Sequence, residues 1–153
     1  MSYLCGMLNH ILDILLGSSK LGLNTQVDNM DIKSIRDVIK NTTKYCVDTF
    51  GINKRKKTEF TVSICKQRGG EKSYGQYCPY ENKITIHYDN CTKLKDLVTT
   101  VIHEYTHYLQ PVKSSYHKLL KKYGYDNHPM EIEARETEKQ YYNDCWNKIK
   151  NNI

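Results

Sequence analysis

The segment HEYTH at residues 103 to 107 constrains the fold of this chain more than any other feature. It lies within residues 94 to 109, where apolar side chains recur at helical spacing. Residues four apart on a helix lie one above the other, so His103 and His107 can reach one ion while Glu104 projects beside them. Nitrogen ligands with an open coordination position suit zinc. The sequence therefore predicts bound Zn2+ with two histidine ligands, and Glu104 as general base.

Two histidines on a helix can also simply pack or face solvent, and so short a pattern does occur by chance. A third ligand downstream argues against that alternative. A metzincin would need a histidine six positions after His107, where this chain has Lys113, so that class is excluded. Residues 129 to 136 offer carboxylates instead.

Helix phase chooses among these carboxylates. At about 100° per residue, Glu131 falls on the apolar side of the last helix, whereas Glu133 points nearly opposite. A carboxylate on a buried face must be paired or bound to a metal. The sequence therefore favours Glu131 as the third ligand. A first-turn acid favoured by the helix dipole is the alternative explanation, and His117 and His128 are rival ligands.

The periodicity along the chain predicts an α+β fold. We expect residues 1 to 30 to form an N-terminal helix and a linker, and residues 31 to 153 to form a single domain. Further helices are expected at 31 to 50, at 92 to 110 with Thr92 as its cap, at 114 to 123 and at 129 to 149. Short strands are expected at 58 to 65, 74 to 77 and 83 to 88.

The composition is that of a globular protein, with 39% hydrophobic and 26% charged residues in a chain of 153. A net charge of +6 would favour acidic partners or nucleic acid, but the densest basic run, residues 54 to 57, is interpreted as a solvated turn. Six scattered cysteines without a Cys-x-x-Cys pair indicate reduced, mostly buried thiols. The apolar stretch at residues 3 to 16 resembles neither a signal peptide nor a membrane span, so we expect an intracellular protein without a membrane partner.

The pattern HExxH followed by E-x-x-A at Glu131 to Ala134 resembles the gluzincin clan of zinc peptidases. The small size resembles that of minigluzincins, and HEYTHYLQ at residues 103 to 110 resembles the motif helix of compact phage and viral proteins. The resemblance covers residues 58 to 149. It implies a zincin-like domain in which a small mixed sheet packs on the HExxH helix and on a C-terminal glutamate helix.

This resemblance implies His103, His107 and Glu131 as zinc ligands, with Glu104 as base and acid in the hydrolysis of peptide bonds. It also implies that the strand at 83 to 88 forms the lower rim of the cleft and pairs with a peptide or protein substrate. An ordinary edge strand is the alternative. Four residues qualify as oxyanion or substrate contacts, and the choice among them stays open: Tyr116, Tyr123, Tyr125 and His128.

One position departs from the family pattern. Four residues after Glu131 the family has a hydrogen-bond acceptor for a ligand histidine, whereas this chain has Arg135, which only donates. Glu138, one turn further on, is a candidate for that support. The departure favours an alternative function, a weakly active or inactive zinc-bound regulatory module. A protein that acts at nucleic acid is a further alternative, based on the net charge.

Overall fold

The computed structural model describes residues 21–56, 59–67, 72–111 and 116–153. This part of the chain contains four α-helices and one three-stranded mixed sheet, which confirms the α+β prediction. The elements are α1 (Ile32–Phe50), β1 (Thr61–Cys65), β2 (Gly75–Cys78), β3 (Lys83–His87), α2 (Leu94–Leu109), α3 (Tyr116–Tyr123) and α4 (Pro129–Ile149). The predicted N-terminal helix lies outside the described residues.

The sheet has the order β1-β3-β2, with β1 parallel and β2 antiparallel to β3. Ile84 and Ile86 are fully buried, as the alternating pattern of β3 predicts. The expectation that this strand forms the rim of the cleft is wrong, because β3 is the central strand and both of its edges are paired. The alternation predicts which face is buried but carries no information about neighbouring strands.

An aspartate stabilises the start of both α1 and α2, but from different positions. Asp31 accepts a hydrogen bond from the Ser34 N–H at 2.8 Å at the start of α1. The prediction that Thr92 caps α2 is wrong. Instead the Asp96 carboxylate accepts the N–H groups of Thr92 and Lys93 at 3.0 and 2.9 Å, so an acid inside the first turn satisfies donors that precede the helix.

Helix α2 lies at the centre of the core, where it packs against α1, α4 and the sheet. Its apolar side chains are almost all buried: Leu94, Leu97, Val98, Val101, Ile102, Tyr105 and Tyr108. The Tyr105 hydroxyl donates a hydrogen bond to the Gly51 carbonyl at 2.5 Å. Gly51 ends α1 with a φ of 75°, a conformation that glycine adopts at little cost. Tyr105 therefore ties the end of α1 to the middle of α2.

The segment before α1 differs from the predicted linker. It is irregular, but it is attached to the start of α2 by hydrogen bonds from Val27 N–H to Thr92 O and from Leu94 N–H to Thr25 O. Val27 is buried in the core. Residues 21 to 30 therefore belong to the packed domain.

The described cysteines carry no disulfide, in agreement with the expected free thiols. Cys46, Cys91 and Cys145 are buried, and Cys65 and Cys78 are half-buried. Within the described ranges, no helix combines the length and the hydropathy needed to cross a membrane.

We predict that Tyr105→Phe lowers the free energy of unfolding by about 1 kcal/mol, because it removes one intramolecular hydrogen bond and keeps the ring in the core. Tyr74→Phe is the matched control, since Tyr74 is exposed and should change stability by no more than about 0.5 kcal/mol. Urea denaturation of both variants checks this. Equal stability of the two would mean that the Tyr105 hydroxyl does not tie the helices together.

Candidate metal centre

Two helices bring three ligand-type side chains to one point. His103 and His107 lie one turn apart on α2, and Glu131 lies in the first turn of α4. Their ligand atoms all fall within 4.8 Å of one another. Glu131 is only 4% exposed, as its helix phase predicted. The described residues therefore contain a His/His/Glu group that could hold a metal ion.

The spacing of the ligand atoms fits a small tetrahedral ion. The two Nε2 atoms are 3.1 Å apart, and they lie 3.4 Å (His103) and 3.3 Å (His107) from the Glu131 carboxylate oxygens. Ligands about 2.0–2.1 Å from a tetrahedral ion are separated from one another by about 3.3–3.4 Å. The site thus has nearly the size that such an ion requires.

The outer nitrogens of both imidazoles have acceptors as partners. His103 Nδ1 lies 2.9 Å from Glu138 Oε2, and His107 Nδ1 lies 2.8 Å from Gln110 Oε1. In the neutral imidazole the Nδ1 proton is therefore donated outward, which leaves a lone pair on each inward-facing Nε2. The buried Glu131 Oε2 has no hydrogen-bond partner. Three lone-pair donors that face each other in this way are stabilised by a shared proton or by a metal ion between them.

The electrostatics of the cluster favour positive charge. Burial alone would lower the pKa of His103, but the neighbouring carboxylates of Glu131 and Glu138 outweigh it and raise this pKa to about 10. Burial alone would raise the pKa of Glu131, but the two imidazoles hold it well below its usual range. The carboxylate therefore stays ionised and attracts a proton or a metal ion to the histidines.

Glu104 lies beside this cluster and is 7% exposed. Burial raises its pKa, although the two imidazoles oppose that shift. Strand β2 passes close to it, since a Cβ atom added to Gly75 would lie 3.1 Å from Glu104 Cγ and 2.8 Å from Thr100 Cγ2. A side chain at residue 75 would therefore crowd both Thr100 and Glu104. A carboxylate with a raised pKa next to a metal centre is suited to general acid–base chemistry.

Gln110 is a site residue that the sequence reasoning missed, because it was considered only as the end of a helix before Pro111. Its side chain is buried and its Nε2 donates to Met130 O at 3.0 Å and to Glu133 Oε2 at 2.8 Å. Together with its bond to His107, this connects the end of α2 to the start of α4. The signal was the spacing, since residue 110 lies three positions after His107 on the same helix face.

Arg135 takes no part in the cluster. Its guanidinium donates a hydrogen bond to the Asp126 carbonyl in the loop before α4. Glu138 instead supplies the acceptor for His103, as the sequence suggested. The departure from the family pattern at Arg135 therefore leaves the histidine supported.

The four candidate oxyanion residues lie in different places. Tyr116 and Tyr125 line the cleft in front of the cluster, whereas Tyr123 is exposed outside that lining. His128 is fully buried, caps α4 by accepting the Met130 N–H at 3.2 Å and stacks on the Tyr116 ring. His128 is not among the residues that line the cleft, because its ring is used in capping and packing.

Tyr125 has the chemistry of a hydrogen-bond donor to a developing negative charge. Burial and the charges of Glu131 and Glu104 raise its pKa to about 12, so its hydroxyl keeps its proton at neutral pH. Tyr116 also has a raised pKa, caused by burial and by Glu131. The exposed His117 lines the same cleft but is not part of the metal-binding group.

The cleft has a volume of about 430 Å³ and combines charged and aromatic walls. Strand β2 contributes Gly75, Gln76 and Tyr77 to one side. The interpretation of residues 54 to 57 as a solvated turn is wrong for Lys56, which lines this cleft. Its ammonium lies over the rings of Tyr77 and Tyr108, and sequence alone could not reveal that contact across the fold.

Comparisons with known protein families, with curated proteins and with solved structures find no match to this chain.

We predict that the chain binds one metal ion and that His103→Ala, His107→Ala and Glu131→Ala each abolish or strongly weaken binding. Because the ligands come from two helices, added zinc should also stabilise the fold and raise the melting temperature. At a zinc concentration of about a hundred times Kd, the free energy of unfolding should increase by about 2.7 kcal/mol. Metal analysis and thermal unfolding measure both effects. His117→Ala is the control, since that exposed residue shares the cleft but not the cluster. Full metal content in the three ligand variants would contradict the site.

We further predict that Glu138→Ala weakens metal binding about 10–100-fold, because His103 loses the acceptor that orients its ring. Glu138→Gln should restore much of the affinity, since the amide oxygen can still accept. Glu136→Ala, an exposed change on the same helix, should have little effect. Competition against a chromophoric zinc chelator measures the affinities. Equal affinities for Glu138→Ala and Glu136→Ala would mean that Glu138 does not support the site.

Proposed function

We propose that this chain is a zinc-dependent peptidase of the gluzincin type, with a zincin-like fold. The observation that carries the proposal is the His103, His107 and Glu131 cluster at the base of a cleft, with the buried Glu104 carboxylate beside it. Two imidazoles and one carboxylate are a ligand set that suits zinc and leaves a coordination position open. The resemblance of the motif and of the glutamate helix to gluzincins supports the same reading.

Bound zinc supplies a Lewis acid that lowers the pKa of water to about 7 and polarises a carbonyl group. Glu104 takes a proton from the attacking water and delivers it to the leaving amine nitrogen. Its raised pKa brings the carboxylate closer to the value that suits both transfers near neutral pH. The Tyr125 hydroxyl, which stays protonated, donates a hydrogen bond to the oxygen that becomes negative.

Strand β2 is suited to hold an extended substrate. Among the described strands it pairs only with β3, and three of its residues line the cleft. An extended peptide could add to its free edge through main-chain hydrogen bonds. The close approach of Gly75 to Glu104 would bring the peptide backbone next to the general base.

The alternative of an inactive, metal-stabilised regulatory module rested on Arg135. That argument loses its basis, because Glu138 provides the acceptor that Arg135 lacks. The alternative of a nucleic-acid-associated protein rests on the net charge alone.

We predict that Glu104→Gln retains the metal and the fold but lowers peptidase activity about 10²–10⁴-fold, because the amide keeps the shape and removes the proton acceptor. Glu136→Gln controls for the loss of one negative charge and should stay active. Cleavage of a broad peptide library, with and without a chelator, measures activity. Full activity of Glu104→Gln would exclude this mechanism, and an inactive metal-loaded wild type would favour the regulatory module.

A further inference from the structure

Lys56 occupies a confined position in the wall of the cleft. Its Nζ lies 4.3 Å from the centroid of the Tyr77 ring and 4.8 Å from that of Tyr108. It donates hydrogen bonds to the Tyr77 hydroxyl and, at 2.6 Å, to the Tyr108 carbonyl. Tyr77 is bound in turn, since its hydroxyl donates to Asn82 Oδ1 at 2.8 Å. The ammonium is therefore held in a fixed place by β2 on one side and by the end of α2 on the other.

The charge of Lys56 is only partly balanced. No carboxylate oxygen of the described residues lies within 4.0 Å of its Nζ. The Tyr108 carbonyl at the C-terminal end of α2 and the two ring faces offset part of the charge. Burial nevertheless lowers the pKa of Lys56 to about 8. A negative group that entered the cleft would stabilise the charged lysine.

A purely structural role explains part of this arrangement. A lysine that binds the last carbonyls of a helix stabilises the helix end, and Lys56 does so at α2. That role uses the bond to Tyr108. An ammonium has three N–H donors, however, and the two bonds to Tyr77 and Tyr108 leave one donor for a ligand in the cleft. Lys56 shares that cleft with His103 and Glu104.

We propose that Lys56 forms a carboxylate-binding subsite of the cleft, so that the protein prefers peptides that carry an acidic group near the bond to be cleaved. The carboxylate could belong to an Asp or Glu side chain or to a free C-terminus, since both offer the same acceptor oxygens. A charge-assisted hydrogen bond to an already confined ammonium is roughly twice as strong as a neutral one. The inference rests on the proposed peptidase function, because it assigns the substrate class of that site.

The test is a binding measurement with fluorescently labelled peptides on the full chain in the presence of zinc. One set of peptides carries Glu at successive positions and a second set carries Gln at the same positions, both with an amidated C-terminus. A third set carries Gln with a free C-terminus. The Glu104→Gln variant serves as the background so that no peptide is consumed. We expect the best acidic peptide to bind about tenfold more tightly than its amide counterpart. The free C-terminus set shows which source of carboxylate the subsite accepts.

Three substitutions in the Glu104→Gln background test whether Lys56 causes the preference for acidic peptides. Lys56→Met keeps most of the side chain's length and should abolish the preference, whereas Lys56→Arg should retain it. Lys54→Met removes the same charge from an exposed position of the same turn and should leave the preference unchanged. Equal loss in Lys54→Met and Lys56→Met would overturn the subsite, because net charge alone would explain it. Equal binding of acidic and amide peptides, or no binding of either, would also overturn it.

The outcome is separable from that of the proposed function. Cleavage of a peptide library by the wild type without an acidic preference would overturn the subsite and leave the peptidase intact. An acidic preference in binding that depends on Lys56, together with no cleavage by the wild type, would support the subsite and contradict the peptidase.

Discussion

The close approach of the His103, His107 and Glu131 side chains is the strongest electrostatic constraint on the packing of α2 against α4. The Nε2 atoms of His103 and His107 and the Glu131 carboxylate lie 3.1–3.4 Å apart, with the outer imidazole nitrogens committed to Glu138 and Gln110. Such atoms repel one another unless a proton or a metal ion lies between them. The packing of α2 against α4 brings them together, so the stability of that helix pair and the charge in the site are linked.

Patterns confined to one element predicted this site well. Helix phase placed Glu131 on the buried face of α4, and the alternation of β3 identified its buried isoleucines, because both depend only on local geometry. Contacts between elements were missed. Neither the central position of β3 nor the Lys56 contact with Tyr77 and Tyr108 leaves a periodic trace in the sequence. The same is true of Gln110, whose three partners lie on two helices.

Helix geometry explains why Glu138, and not residue 135, provides the acceptor for His103. At about 100° per residue, the position four after Glu131 lies about 40° past its direction, and the position seven after it lies about 20° short of it. Both positions therefore face the α2 histidines. A helix offers more than one place for an acceptor on this face, and here the second place is used. Arg135 is thereby released to bind the Asp126 carbonyl before the helix.

Strand β2 connects the reacting groups to the proposed subsite. Gly75 lies beside Glu104, and Tyr77, two residues further along, contacts Lys56. Residues two apart on a strand face the same side and are about 6.6–6.8 Å apart. An extended peptide paired with β2 would have the same rise per residue as the strand. Its residue next to Tyr77 would therefore lie two positions from its residue next to Gly75. If both proposals hold, the preferred acidic side chain therefore belongs two positions from the residue that lies beside the general base.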